Sequence, residues 1–195
     1  MIDSAPSAAL FVANDLALDF INSAYGPGTA PVDVLEDDPA VIDWLATAGV
    51  LEAGAVAVPN GVAALAVALR DEARELLAAA RAGRPFQATV VNKVLEAGRP
   101  IVQLQSTTDG AGPCVVERRR DDSAESLLEP IAVALSRLLA GGDLQHVREC
   151  EAHDCTLLFH DTTKSRKRRW CSMALCGNRM KVAAFRSRKQ VGKGT

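Results

Sequence analysis

Before residue 100 the apolar positions of the chain follow a three-to-four residue rhythm, the signature of helices with one buried face. Residues 1–9 are small and polar and have the texture of a loose terminus. Leu16, Phe20 and Ser23 share one helical face, so 14–24 is predicted as a short helix ended by Gly26-Pro27-Gly28. Asp38-Pro39 predicts the next start, with Asp38 as N-cap, Pro39 at the first helical position and a stop near Gly49. Asn60 is expected to cap the longest helix. Val62, Leu65, Leu69, Ala73, Leu76 and Ala80 mark its apolar face, and Gly83 its end. A shorter helix is expected over 86–97, closed by Gly98.

The rhythm then changes. Ile101-Val102-Gln103-Leu104-Gln105 alternates with the period of a strand, and Cys114 to Arg118 reads as its return strand, with a loop from Ser106 to Gly112 between them. Asp122 and Glu125 resemble a capping box opening a helix to Ala140, with a kink or break expected at Pro130. Gly141-Gly142 is the expected hinge to the C-terminal part.

Composition adds that a core can be buried but must be mostly aliphatic: 48% of residues are hydrophobic and only 4% aromatic. No run approaches the roughly 18 apolar residues of a membrane span. No basic residue precedes the first apolar ones, so a secretory leader is not expected and the cytoplasm is the expected address. Charge changes the picture more. The net charge is only −2, yet residues 145–195 hold 12 of the 22 Lys+Arg and 4 of the 24 Asp+Glu. An acidic part is joined to a small basic part, and such asymmetry points to a polyanion partner for the basic end.

Four of the five cysteines crowd into that end, as Cys150-x4-Cys155 and Cys171-x4-Cys176 with fifteen residues between the pairs. Two close pairs at this separation match a four-ligand structural zinc site, each pair supplying one edge of a tetrahedron. About 50 residues cannot bury an adequate core unaided, so the metal would contribute much of the folding energy. Disulfides fit poorly with a cytoplasmic address, and a redox role would favour C-x-x-C. Cys114 is expected to be a small buried hydrophobe. Residues 156–161 read as a strand leaving the first pair and 162–170 as a turn and return strand entering the second; an amphipathic basic helix follows Cys176. Knuckle, hairpin and ligand-bearing helix make a treble clef. The expected fold is therefore α+β: a mostly helical N-terminal domain with a β-hairpin over 1–142, then a treble-clef zinc finger over 143–195.

The run Arg169-Trp170-Cys171-Ser172-Met173-Ala174-Leu175-Cys176-Gly177-Asn178-Arg179-Met180-Lys181, with Leu158-Phe159-His160-Asp161 and the first cysteine pair, resembles the signature of the CGNR zinc finger family over about 147–190. Leu16-Ala17-Leu18-Asp19-Phe20-Ile21-Asn22-Ser23 is similar to the early motif of the ABATE domain, the usual N-terminal partner of that finger, and the segment from Asp38 to Leu51 with its Trp44 also looks like it. The resemblance implies a bacterial two-domain protein described as a "putative stress-induced transcription regulator", with a sensor-like domain of unknown ligand and a finger that binds double-stranded DNA.

Duplex affinity comes mainly from phosphate neutralisation, so the basic positions are the candidate contacts. Arg166, Lys167, Arg168 and Arg169 form one run. If that run is a strand, half of it meets one surface. Arg179, Lys181, Arg186, Arg188 and Lys189 extend the patch along the helix. Arg179 and Arg186, seven apart, share a face and are the expected base-edge or close phosphate contacts. Trp170 is expected as a small-core anchor beside the metal, Asn178 as a brace of the knuckle, and Asp161 as a turn stabiliser or an arginine's partner. Asp19 and Asn22 are candidate polar groups of a ligand pocket, although capping explains them as well. No residue pattern signals catalysis. His160-Asp161 in a treble clef admits a nuclease reading, but a second ligand set for a catalytic metal is not visible. The competing role is a zinc finger that binds RNA or protein without reading DNA. One finger offers few base contacts, so a homodimer is expected.

Overall fold

The computed structural model describes residues 9–26, 31–51, 57–106 and 112–191, with side chains through 186. In chain order its elements are α1 (Leu16–Ile21), β1 (Ala24–Tyr25), β2 (Val32–Asp33), α2 (Asp38–Thr47), α3 (Val62–Arg81), α4 (Thr89–Ala97), β3 (Ile101–Ser106), β4 (Pro113–Arg118), α5 (Ala124–Ala140), β5 (Val147–Glu149), β6 (Leu158–His160) and α6 (Asn178–Val191). A 3-10 turn spans Leu144–His146 and a wide π-helical turn spans Met173–Gly177. The chain forms two compact units. One is Leu35–Ala140; the other joins Met1–Val34 to Gly141–Thr195.

The Leu35–Ala140 unit is a helical body. Val41, Trp44 and Leu45 of α2, Leu69, Leu76 and Leu77 of α3, Val91 and Val94 of α4, and Leu127, Leu128, Ile131 and Leu135 of α5 are the centre of its buried apolar set. Two of its helix starts are capped by carboxylates from neighbouring helices. Asp37, one residue before the expected cap, accepts the Ala40 N–H at 2.8 Å and starts α2. This frees Asp38 to reach across and accept the Gly61 and Ala63 N–H groups at 2.9 and 2.8 Å. Asp38 thus does for α3 what Asn60 was expected to do, and the backbone N-cap is Gly61. In the same way Glu72 of α3 accepts the Thr89, Val90 and Val91 N–H groups at 2.8–3.0 Å. That is why α4 begins at Thr89 and leaves Phe86 outside it and half exposed.

The expected stop at Gly83 holds, with Gly83 N–H bonded to Ala80 and Arg84 N–H to Ala79 in a Schellman ending. At Gly98 a Cβ would lie 2.3 Å from the Glu125 carbonyl oxygen, so only glycine lets the end of α4 approach α5 this closely. Ser123, not Asp122, caps α5, accepting the Ser126 N–H at 3.2 Å, while Asp122 pairs with Arg119 at 2.8 Å. The helix continues through Pro130 without a break, because a single missing N–H is a local loss inside seventeen well-packed residues. The β3–β4 hairpin is antiparallel, from Ile101 opposite Arg118 to Ser106 opposite Pro113. Cys114, in β4, is partly exposed rather than buried. Residues 107–111 of the expected Ser106–Gly112 loop lie outside the described residues.

The second unit is small and combines a modest core with buried polar groups. Leu18, Phe20, Val147, Leu157 and Phe159 are buried, together with Asp19, Asn22 and Asp161. Asp15 caps α1 through the Leu18 N–H at 3.1 Å. β5 pairs antiparallel with β6, Val147 opposite His160 and Glu149 opposite Leu158. The expected hairpin between the two cysteine pairs is therefore replaced by one that brackets the first pair, and the basic run 164–169 is a loop with Arg166 at φ 51°. The cause is Asp161. Its carboxylate accepts the Thr163 N–H and hydroxyl and the Arg168 N–H, which coils 162–168 around it and denies that segment a ladder.

Candidate metal centre and nucleic-acid interface

The first cysteine pair flanks the knuckle between β5 and β6, where Cys150 N–H bonds the Leu157 carbonyl at 3.0 Å and Cys155 N–H bonds Ala152 at 3.0 Å. The second pair enters with the π-helical turn, which Ser172 caps through the Leu175 N–H at 2.9 Å. All four sulfurs lie within 4.8 Å of one another. A tetrahedral site with zinc–sulfur bonds of about 2.3 Å has sulfur–sulfur edges of about 3.8 Å. The Cys155–Cys171 and Cys171–Cys176 separations are 3.9 and 3.6 Å. Disulfide sulfurs would sit about 2.05 Å apart, so these are free thiols at metal-ligand spacing. Cys150, Cys155, Cys171 and Cys176 fit one structural zinc ion with a closed shell.

Four thiols at such distances cannot all ionise unaided. The hydrogen bond from Cys171 pulls the Cys155 pKa down to about 5, whereas the same contact, followed by burial, drives Cys171 well above the ordinary thiol range. Burial also raises Cys176. A divalent cation supplies the charge that makes four thiolates stable together, and its binding releases their protons.

The shell around the cysteines is built from residues that the sequence suggested for DNA. The Arg179 guanidinium forms a two-pronged pair with Asp154, one prong at 2.7 Å, and Nη2 also points at Cys176 Sγ at 3.6 Å. Asp154 belongs to the first knuckle and Arg179 to the start of α6, so this pair ties the two ligand pairs together. The Asp154 carboxyl is held below its usual range, chiefly by that hydrogen bond. Asn178, expected as the brace, is exposed at the start of α6. Gly177 is a close approach of another kind: a Cβ there would meet Met173 Sδ at 2.5 Å and Trp170 Cδ1 at 3.0 Å. Trp170 thus packs beside the second ligand pair, with the Arg169 guanidinium 4.7 Å from its ring centroid.

Arg168 is also committed. Its guanidinium lies 4.4 Å from the Phe159 ring centroid and donates to the Trp170, Cys171 and Val12 carbonyls. Arg169 pairs with Glu151 at 2.6 Å, and Arg166 donates to the Asp161 carbonyl. Burial pushes the Asp161 carboxyl up, but the Thr163 hydroxyl and the Arg168 and Thr163 amides outweigh it, and Asp161 stays ionised below its usual range. Asp143 gathers His146, His160 and Arg166, with closest approaches of 3.5, 3.4 and 4.0 Å. Among the described residues Lys164, Lys167, Lys181 and Arg186 are exposed and make no ion pair. The side chains of Arg188 and Lys189 lie outside the described residues.

Asn22 fastens α1 to the finger, and Asp19 holds the segment before α1 against the helix. Asp19 Oδ1 accepts the Val12 and Ala13 N–H groups at 2.9 Å, and burial, partly offset by those bonds, raises its pKa. The Asn22 amide donates to the Leu158 carbonyl at 2.8 Å and accepts the Leu158 N–H at 2.9 Å. His160 N–H bonds the Ala13 carbonyl at 2.8 Å, which extends the β5–β6 pair by one more chain segment. The sequence offered one signal for this fastening, the polar spacing of Asp15, Asp19 and Asn22; it gave none for their partner.

No helix among the described residues is long and apolar enough to cross a membrane. A comparison with curated proteins finds no match to this chain. Two family models do match it: residues 146–189 match the CGNR zinc finger, in agreement with the four-cysteine centre, and residues 14–142 match ABATE, described as "Putative stress-induced transcription regulator". ABATE covers most of the chain, and the protein belongs to that family, with a CGNR zinc finger at its C-terminal end.

Proposed function

We propose that this protein is a zinc-dependent transcription regulator whose finger binds duplex DNA and whose ABATE part responds to a small ligand. The observation that carries the DNA reading is the division of labour among the cations. Arg168 and Arg179 are committed to holding the finger together, whereas Lys164, Lys167, Lys181 and Arg186 stand exposed without ion pairs on the same zinc-ordered unit. Exposed cations on a rigid scaffold are what phosphate neutralisation requires. Arg186, on α6, is the residue assigned to base edges or close phosphates, Lys181 adds a phosphate contact on the same helix, and Lys164 and Lys167 position the loop. Arg188 and Lys189 extend the basic sequence of α6.

Met173, Leu175, Val182 and Phe185 are 42–54% exposed on the π-helical turn and α6, which favours a second reading in which this face engages another protein. The test is a binding selection on sheared genomic duplex with zinc-loaded protein at near-physiological salt, repeated with Lys181→Ala/Arg186→Ala. A common retained site, weakened in the double variant with a salt slope lower by about two, supports the regulator. Retention indifferent to the two substitutions, or none, removes the DNA reading in favour of the protein-directed one.

A further inference from the structure

The helical body contains a groove of about 570 Å³ between the end of α3, the 86–88 segment, α4 and the last turns of α5. Its walls are Leu76, Phe86, Val91 and Leu139, and its polar lining is Gln87, Thr89, Asn92 and Ser136. The volume falls within the range of small-molecule sites, and a mainly apolar wall with a few uncharged hydrogen-bonding groups is their usual construction. The lining contains no ionisable side chain. The N-terminus of α4 opens at this place, but its first N–H groups are already taken by the Glu72 carboxylate, which also neutralises the helix dipole. An anionic ligand would therefore find neither a counter-charge nor free amides, and a cationic one would lack a carboxylate in the lining.

We infer that this groove binds an uncharged, largely apolar small molecule carrying one or two hydrogen-bonding groups, such as an alkylphenol or a comparable alcohol or ketone. As the sensor site of a regulator, it rests on the function proposed above. Two features support that placement. Phe86, 49% exposed, forms part of the groove wall and presents an apolar face to an occupant. The lining ends at Ala140, the last residue of the body before Gly141-Gly142 and the finger-bearing unit, so an occupant touches the helical turn that leads into the finger. Asp19 and Asn22, by contrast, are buried with backbone partners.

The test uses the full zinc-loaded chain and Nile red, a neutral dye whose emission rises in apolar sites. Saturable one-to-one binding is expected, displaced by 4-butylphenol and at least about tenfold less effectively by the 4-butylbenzoate anion. Ser136→Phe should fill the groove and abolish dye binding, and Phe86→Ala should weaken it at least about fivefold, with the thermal transition of the body as the folding control. No saturable binding, equal competition by the anion, or unchanged binding in a folded Ser136→Phe protein overturns the proposal. Duplex affinity measured on the same samples separates the two readings. Dye binding that persists when DNA binding fails counts against the regulator only. A DNA affinity unchanged by saturating 4-butylphenol overturns the groove's sensor role.

Discussion

The helical body and the finger-bearing unit solve the same problem by opposite means. Among the described residues the body buries Trp44 and fifteen leucine, isoleucine and valine side chains, and it uses carboxylates on one helix to cap the next, Asp38 for α3 and Glu72 for α4. The finger unit has a short apolar list and instead buries three of the four clustered thiols, with Cys155 partly exposed beside them, together with Asp161, Asp19 and Asn22. Burial of apolar area is graded and forgiving, because losing one methylene costs about 1 kcal/mol. Metal ligation and buried hydrogen bonds are closer to all-or-none, since one missing partner leaves a buried polar group unpaired. The finger should therefore be the unit that conditions switch on and off, and the body the unit that persists.

The largest separation should come from zinc. Structural zinc contributes on the order of 10 kcal/mol to small modules at neutral pH. Chelation, or Cys171→Ser, should abolish the thermal transition of the finger unit and leave the helical signal of the body intact. Calorimetry with and without chelator measures both, and one transition that shifts as a whole would erase the difference between the units.

Asn22→Ala should have the next largest effect. It strands the Leu158 N–H and carbonyl, a loss of about 3 kcal/mol from the finger unit, with no change in the body. The readout is again the pair of transitions, together with a faster release of zinc to a coloured chelator.

Acid separates the units more gently. Protons compete with zinc for the thiolates, so the finger should fail first as pH falls. In the body, the hydroxyls of Ser123 and Ser126 hold Asp121 at about 2. A carboxyl lowered on folding stabilises fully above its unfolded value of about 3.9, and that contribution disappears as pH falls from there toward 2. Ser126→Ala should raise the Asp121 value and lose this small protection at higher pH, as carboxyl titration by NMR with melting between pH 5 and 2 would record. A body that unfolds before the finger would contradict the scheme.

These effects also mark what the sequence makes legible. The cysteine spacing can be read because each ligand pair is local and the metal's demands are rigid, so four residue types at fixed intervals suffice. The helices of the body are equally readable from their rhythm, down to the ending at Gly83. Partners far along the chain are not. Glu72 looks like an ordinary surface acid and Asp38 like the cap of its own helix until the helices they reach are in place, and nothing local says that Asn22 meets Leu158. The basic run misleads for the same reason. Lys167 is exposed while its neighbour Arg168 lies over Phe159, and one-dimensional charge cannot separate a cation that faces solvent from one that closes the finger. The return strand expected within 162–170 fails because the buried Asp161 gathers the backbone into a loop.

The proposed dependence of DNA binding on zinc is tested most directly by the anisotropy of a labelled duplex, taken from the binding selection and titrated with the full chain before zinc removal, after it, and after zinc is restored. Removal should weaken binding at least about a hundredfold at near-physiological salt and restoration should recover it, because the cations act as a surface only when the four cysteines hold the finger. Equal binding by the zinc-free chain would contradict this.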